Sequence, residues 1–345
     1  MLRIYSVIFL VCCVCLSSGL FAQTTSPAQT LRLARSIYEQ GRLHELPDLL
    51  KMVIDKGTIT EKVDAYKLLT LAYIYLEEPD DADKAMLNLL QTEPEFQINE
   101  AIDPAEFVAL YNTFRTAPIF RFGVKGGGNV TWPNVSAFIP PNDGVAAYSA
   151  GVGFQVGFSA EIPINKFLTL NPELNYRQTV IGISNLYFGP DDQTGRLTEG
   201  RSSMGWVSMP VSVQYKLSNH RLSPYVGGGL VTDYLVSANK TLETKQPDFS
   251  PVPPPGDANE RDVFKPLNLS ASVCAGLKVK AKKALFITEL RYTHGLRNVV
   301  NGENLYVTPE STWDHKFVHG LFSLNAFTLS FGYLVNKYSP KKLTP

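Results

Sequence analysis

The sequence predicts an α + β multidomain chain: N-terminal α-helical hairpins, then an eight-stranded antiparallel up-and-down transmembrane β-barrel. Three observations predict it. Up to about residue 117 the apolar residues recur at helical spacing, with few glycines. From residue 118 onward, eight segments alternate apolar and polar residues with a period of two. The connections between those segments alternate long and short without exception, as in strands that cross a membrane up and down.

The chain of 345 residues has room for two domains. Its 32 basic and 32 acidic residues leave no net field, which argues against a nucleic-acid partner or a steered charged substrate. Mean hydropathy is near zero; a barrel gives such an average because lipid-facing and lumen-facing residues cancel. Residues 1–22 read as an export signal: Arg3, an apolar run over 4–16, then small residues before a cut after Ala22. The run is too short for a spanning helix. Cys12, Cys13 and Cys15 lie in this region, but each follows Val or Cys where lipid attachment wants a small residue. Beyond Ala22 only Cys274 remains, so no internal disulfide is expected. No later stretch approaches the roughly 20 apolar residues of a membrane helix, so a membrane location implies a barrel.

Residues 23–117 form the helical domain. Leu31, Ala34, Ile37 and Tyr38 mark a first helix ending near Gly41; Leu46, Leu49, Leu50 and Val53 mark a second ending near Gly57. Thr58 and Glu61 make a capping box for a third helix along Val63, Tyr66, Leu69, Leu71, Tyr73 and Leu76. Pro79 and Asp80 open a fourth, through Ala82, Met86, Leu89 and Leu90, which stops by Pro94. Asp103 is expected to cap a fifth, with Pro104 in its first turn, Glu106 three residues on, and Phe107, Leu110, Tyr111 and Phe114 on its apolar face. Tyr66, Leu69, Tyr73, Ala82 and Pro94 stand at the spacing of a repeat of about 34 residues. On these residues the region from about 28 to 95 resembles tetratricopeptide repeats. The resemblance implies a protein-interaction scaffold whose inner helices line a groove, here Arg35, Tyr38, Lys67, Leu71 and Ile74. A carboxylate clamp is not evident, since Leu71 stands where an Asn would be wanted.

The barrel is expected over 118–336, followed by a basic tail, 337–345. Its first strand, 120–131, turns Phe120, Phe122, Val124 and Val130 outward and Arg121, Lys125 and Asn129 inward. The second, 148–161, has the clearest alternation: Tyr148, Ala150, Val152, Phe154, Val156, Phe158 and Ala160 form one apolar face, with Gln155 and Glu161 on the other. The third, 168–179, turns Glu173 and Arg177 inward; the fourth, 206–217, turns Lys216 inward. The fifth, 225–235, is rich in glycine and its facing is ambiguous. The sixth, 267–279, turns Lys278 inward, and the seventh, 285–294, turns Glu289 and Arg291 inward. The eighth, 324–334, shows Phe327, Leu329, Phe331 and Tyr333 outward. Short turns are expected at 163–166, 218–222 and 281–284. Long loops are expected between the first two strands and over 182–205, 237–265 and 295–321. An even strand number starting upward puts both ends, and the helical domain, in the periplasm.

Several segments carry a second resemblance: Phe122-Gly-Val-Lys-Gly-Gly-Gly-Asn129, Pro172-Glu-Leu-Asn-Tyr176, Val207-Ser-Met-Pro-Val-Ser-Val-Gln-Tyr215, Pro224-Tyr-Val-Gly-Gly-Gly229, Glu289-Leu-Arg-Tyr292 and Leu329-Ser-Phe-Gly-Tyr333. Over about 119–336 the chain resembles the PorT-type outer-membrane β-barrel family. That resemblance implies an outer-membrane location and, as in some members, a part in type IX secretion. The fused helical module departs from the simplest members, as does the tail with Lys337, Lys341 and Lys342 and no terminal aromatic.

Eight strands enclose a space that side chains can fill. Arg121, Lys125, Arg177, Lys216, Lys278 and Arg291 face it against Glu161, Glu173 and Glu289, so a salt-bridged plug is expected; the excess of basic groups leaves a narrow anion path as the other reading. No catalytic residue, cofactor or metal is expected. His315 and His319 have helical spacing near Asp314 but fall in a loop, and a rim enzyme would have to recruit His294, Asp314 and Ser311. The loop around 246–262 reads as a mobile proline-rich surface segment. Trp132, Tyr187, Phe188, Tyr234, Tyr306 and Trp313 are expected in the interfacial girdle. Together these features predict a non-enzymatic outer-membrane protein whose partners are membrane lipid and an envelope protein bound by the periplasmic module. The alternatives are a surface adhesin acting through the outer loops and a rim enzyme.

Overall fold

The structure, a computed structural model, describes residues 26–138, 145–187, 195–218, 220–245, 256–281, 284–306, 315 and 317–343. The export signal, Phe188, Ser311, Trp313 and Asp314 lie outside the described residues, as does most of the proline-rich stretch. The chain divides into two compact units: one runs to Ala117 and takes in residues from Ser339 onward, and the other is Pro118–Tyr338.

The first unit holds five α-helices: α1 (Pro27–Glu39), α2 (Leu46–Lys56), α3 (Ile59–Tyr75), α4 (Pro79–Thr92) and α5 (Ala105–Asn112). Reciprocal capping boxes start α1 at Ser26 and Gln29, and α3 at Thr58 and Glu61. Leu46, Leu50, Val53, Ala65, Ala72 and Ala85 bury one apolar seam; Leu71, Met86, Leu89, Phe107 and Phe114 bury a second. Asp103 does not cap α5. Pro104 holds the cap position, while the Asp103 carboxylate accepts from the Asn99 amide and pairs with Lys67. Beyond the barrel sequence the chain returns to this unit: Arg115 donates to the Ser339 carbonyl, Arg115 N to the Lys341 carbonyl, and Leu343 N to the Thr113 carbonyl. The Lys342 ammonium pairs with Asp83. Among the described residues no helix is long and apolar enough to cross a membrane.

The second unit is one antiparallel sheet that closes on itself. Its long strands are β1 (Phe120–Ala137), β2 (Val145–Pro163), β3 (Leu168–Tyr187), β4 (Arg196–Lys216), β5 (Leu222–Lys245), β7 (Leu267–Lys280), β8 (Ala284–Gly295) and β9 (Leu321–Lys337). Each pairs with its neighbour; β4 pairs with β5, and β1 pairs with β9 from Phe120↔Lys337 onward, which closes the ring. The short β6 (Gly256–Asn259) extends the sheet beside the far end of β5. β1 and β9 approach so closely that a Cβ on Gly123 or Gly127 would lie 1.9 or 2.0 Å from a carbonyl oxygen of β9. Glycine is required there by the approach of two backbones.

The outward face of the strands is apolar and exposed. It carries Phe122, Val124, Val152, Phe158, Val211, Leu230, Val273, Leu290, Leu329 and Phe331, with Val152 75% and Phe158 67% exposed. A band of such side chains around a closed sheet suits lipid rather than water. Trp132 stacks outward with Tyr292 and Phe327, and Tyr234 and Tyr306 are exposed.

Three expectations change. The expected loop 182–205 is mostly strand, because β3 runs on to Tyr187 and β4 starts at Arg196, and strand takes part of the expected loop 237–265, because β5 runs on to Lys245. Tyr148 does not face lipid. The register of β2 on β3 slips by one residue between Ala150 and Gln155, so the alternation changes phase and Tyr148 turns inward against His319 and Phe322. The facing of β5 is resolved: Tyr225, Val231, Asp233 and Leu235 are buried inside, and after Val236, which lacks a β4 partner, Ala238, Lys240, Leu242 and Thr244 take over.

Candidate functional site

All nine charged residues expected in the lumen are buried there, because each sits at an inward position of its strand. They fall into tiers. In the middle tier the Lys125 ammonium lies 2.9 Å from Glu173 and 2.6 Å from Glu289, and the Arg291 guanidinium bonds both carboxylates. The Tyr225 hydroxyl donates to Glu289 at 2.7 Å, and Asn175 donates to Glu173 at 3.0 Å. Two cations face two anions, with the remaining acceptor capacity taken by neutral donors, which is what buried ion pairs need to persist.

The next tier, away from the first residues of β1, centres on Asp233, on the strand whose alternation is hidden by glycines. It pairs with Arg177 at 2.7 Å and accepts from Asn268 and Ser208. The opposite tier, beside the first residues of β1, joins Arg121 to Glu161 at 3.1 Å and Lys278 to Glu161 at 2.6 Å. The Lys278 ammonium also donates to Gln214 and lies over the Tyr225 ring. Lys216 is on this level too.

The end of the barrel away from the first residues of β1 is sealed differently. Residues 260–266 and 296–306, with 317–320, fold inward. Val263, Phe264, Val299, Val300, Leu305 and Val318 join Trp206, Leu235, Phe322 and Leu324 of the wall in one apolar core. Inside it a polar group was not foreseen. The Glu260 carboxylate pairs with Lys240 and lies 3.0 Å from His319 Nε2, and Ser202 donates to it. Burial opposes the charge on Glu260, but His319 and Lys240 outweigh it and hold the carboxyl down at about 2. The Tyr148 hydroxyl accepts from Gly320 N. The one legible signal was composition: Val299, Val300, Phe317, Val318 and Phe322 are too apolar for a solvated loop.

The residues considered for chemistry do not assemble. His319 is engaged with Glu260, whereas His315 Nδ1 lies 2.8 Å from the Thr244 hydroxyl and His294 is exposed beside Tyr292. Among the described residues no three His, Cys, Asp or Glu side chains are grouped to hold a metal ion.

In the helical unit the five groove residues part company. Arg35 is exposed and pairs with Asp64 at 2.6 Å. Tyr38 is half-buried beside Tyr75. Lys67 and Leu71 are covered by the chain itself: Lys67 pairs with Asp103 and lies near the Phe96 and Phe107 rings, and Leu71 joins the core with Phe107. Burial alone would raise Asp103, but Lys67 and the Asn99 amide outweigh it and hold the carboxyl below its usual range. Ile74 opens instead onto a cleft of about 400 Å³, lined also by Tyr73, Pro79, Ala82 and Leu110, with Glu77, Glu78, Asp83 and Lys342 at its edge. Glu77 is the one non-glycine residue with positive φ, at 60°, among the described residues. It ends α3 in the same manner as Gly41 ends α1: Glu77 N bonds the Ile74 carbonyl and Glu78 N the Tyr73 carbonyl.

A closed antiparallel barrel with an apolar exterior and an ion-paired interior defines an outer-membrane β-barrel protein. The chain belongs to the family described as the outer membrane protein beta-barrel domain, whose model matches residues 114–301, more than half of its length. Among solved structures it is similar to the Neisserial surface protein A (NspA), with 14% identity over 62% of this chain and 96% of that one and a TM-score of 0.29. It is similar also to the outer membrane protein OprG from Pseudomonas aeruginosa, with 13% identity over 64% and 98% and a TM-score of 0.31. Ail, the attachment invasion locus protein of Yersinia pestis, gives 12% identity over 62% and 98% and a TM-score of 0.28. Likeness at this level carries no activity across. No curated protein matches the chain.

Proposed function

We propose that the barrel anchors a periplasmic protein-interaction module in the outer membrane. In this reading the cleft beside α3 and α4 binds an apolar segment with basic flanks from another envelope protein, in assembly or secretion. The observation that carries it is Glu77. A left-handed conformation costs a residue with a side chain about 1 kcal/mol more than glycine, and the same turn at Gly41 avoids that cost. Retaining a carboxylate there is explained if its charge at the cleft is used. The apolar floor of Tyr73, Ile74, Ala82 and Leu110 and the acidic edge of Glu77, Glu78 and Asp83 match such a segment. Lys342 already pairs with Asp83, so the edge accepts an ammonium from a chain segment. The tetratricopeptide-like spacing and the PorT-like motifs agree with a scaffold role near a secretion apparatus. The ion-paired lumen and apolar outer plug favour anchorage over transport. An even number of strands favours a periplasmic position for both ends of the barrel sequence.

The test is photo-crosslinking in cells from Leu110 of the full-length protein. The expected result is one envelope protein whose crosslink is lost in Glu77→Lys and Glu78→Lys. Crosslinks that persist in those variants overturn the assignment to the cleft. Crosslinks arising only from outer-loop positions would favour an adhesin.

A further inference from the structure

The lumen is neutral where it is deepest and strongly basic at one mouth. Lys125 and Arg291 balance Glu173 and Glu289, and Arg177 balances Asp233. At the mouth beside the first residues of β1, Arg121, Lys216, Lys278 and Lys280 all occupy inward positions, and among the described residues the carboxylate paired there is that of Glu161. The charges of Arg121, Lys278 and Lys280 all act on Lys216, and so does that of Glu161. Glu161, however, pairs with Arg121 and Lys278 and makes no ion pair with Lys216.

Two donor groups at this mouth have no acceptor among the described residues. The Lys216 side chain is 6% exposed, yet it makes no hydrogen bond or ion pair among the described residues. The Thr169 hydroxyl is fully buried and also lacks a partner. They are neighbours: Thr169 pairs across the sheet with Gln214, Lys216 is the next inward residue of β4, and Lys216 N bonds the Phe167 carbonyl. An ammonium crowded by like charges and a buried hydroxyl left without an acceptor cost free energy unless something supplies acceptors.

We infer that this mouth binds a small, water-borne phosphate-type oxyanion, with Lys216 as its main ligand, Thr169 donating a hydrogen bond, and Arg121, Lys278 and Lys280 supplying the field. A tetrahedral dianion offers several acceptors at once, which suits an ammonium and a hydroxyl better than chloride does. The four cations face away from lipid, so the source is a solute rather than a headgroup of the surrounding bilayer.

The experiment uses the full-length protein folded in detergent micelles and titrated calorimetrically with inorganic phosphate, against sodium chloride at matched ionic strength. One saturable phosphate site is expected, weakened at least tenfold in Lys216→Met and by a smaller factor in Thr169→Val. Heat indistinguishable from chloride, or unchanged binding in Lys216→Met, overturns the proposal. Should Lys216→Met not fold, the unmodified protein decides: phosphate should protect Lys216 from acylation by a small amine-reactive reagent, read by mass spectrometry. Labelling that phosphate leaves unchanged overturns it. Short-chain phosphatidylglycerol forms a third arm. Protection by that lipid without protection by phosphate overturns the assignment to a free solute.

Discussion

Nε2 of His319 lies 3.0 Å from both carboxylate oxygens of Glu260, tying together two inward-folded segments that are 59 residues apart. Lys240 of the wall pairs with the same carboxylate, so this one group fixes the apolar plug to the barrel. The Glu260 carboxyl, held at about 2, lies below its unfolded value of 4.5. A lowered value stabilises fully above the unfolded value and loses its effect as pH falls through the folded one. The plug is therefore expected to loosen between about pH 4.5 and pH 2. Trp206 sits in its core, so its emission in a Trp132→Phe, Trp313→Phe background should shift to the red over that range. Glu260→Gln should already be shifted at pH 7 and show no acid step; an acid step like that of the parent would refute the assignment.

The middle tier of the lumen predicts an asymmetry between two lysines. Lys125→Met leaves Glu173 and Glu289 with Arg291 as their only cation, and breaking such a buried group costs about 3–5 kcal/mol. Lys216→Met removes an ammonium without a partner and is expected to change stability by less than about 1 kcal/mol. Urea unfolding in micelles, followed by the mobility difference between boiled and unboiled samples, compares them. Equal midpoints would contradict the tiered reading.

The phase change in β2 separates two nearby positions. Val152 is 75% exposed on the outer face, and Val152→Arg is expected to cost about 2–4 kcal/mol if it lies near the bilayer midplane. Tyr148→Phe removes only the hydroxyl that accepts from Gly320 N, at about 1 kcal/mol. A lipid-soluble quencher should reach a label at 152 and not one at 148. Quenching at both would restore an unbroken alternation.

Glu77→Gly relieves the positive φ at the end of α3 and should stabilise the helical unit by about 1 kcal/mol, read from thermal unfolding by circular dichroism. The same change should weaken capture at the cleft. A variant that gains stability with undiminished capture would leave the carboxylate without the proposed use.

Strand number, order and the nine charged lumen residues were legible because a period of two assigns a face to each residue independently of its partners. The places where that reading stopped each have a cause. One extra residue in β2 reverses the facing of the residues before it relative to those after it, and nothing local marks it, so Tyr148 was placed on the wrong face. Gly227, Gly228 and Gly229 carry no side chain to show a face, which hid Asp233 and with it the partner of Arg177. Glu260 and His319 belong to segments without regular period, and their meeting depends on long-range packing that no local pattern encodes. In the helices, the cap at Thr58 and the core positions Ala82, Met86, Leu89 and Leu90 of α4 followed from spacing, whereas in α3 only Leu69 and Leu71 of the expected residues are buried and Ala65, Leu68 and Ala72 join them. The covering of Lys67 and Leu71 did not follow from spacing, because it comes from Phe96, Asp103 and Phe107, which follow the repeat-like stretch.

The return of residues 339–343 to Thr113, Phe114, Arg115 and Asp83 bears on how the barrel zips shut. Seven of the eight seams join strands that follow one another, but the β1–β9 seam must bring together residues more than two hundred positions apart. Joining such distant points costs loop entropy before any ladder bond forms. A clasp outside the sheet shortens that search to the few residues between Arg115 and Phe120 and between Lys337 and Ser339. The clasp is expected to speed closure of this last seam. A chain cut at residue 338 should close its last seam more slowly, even though every strand is intact.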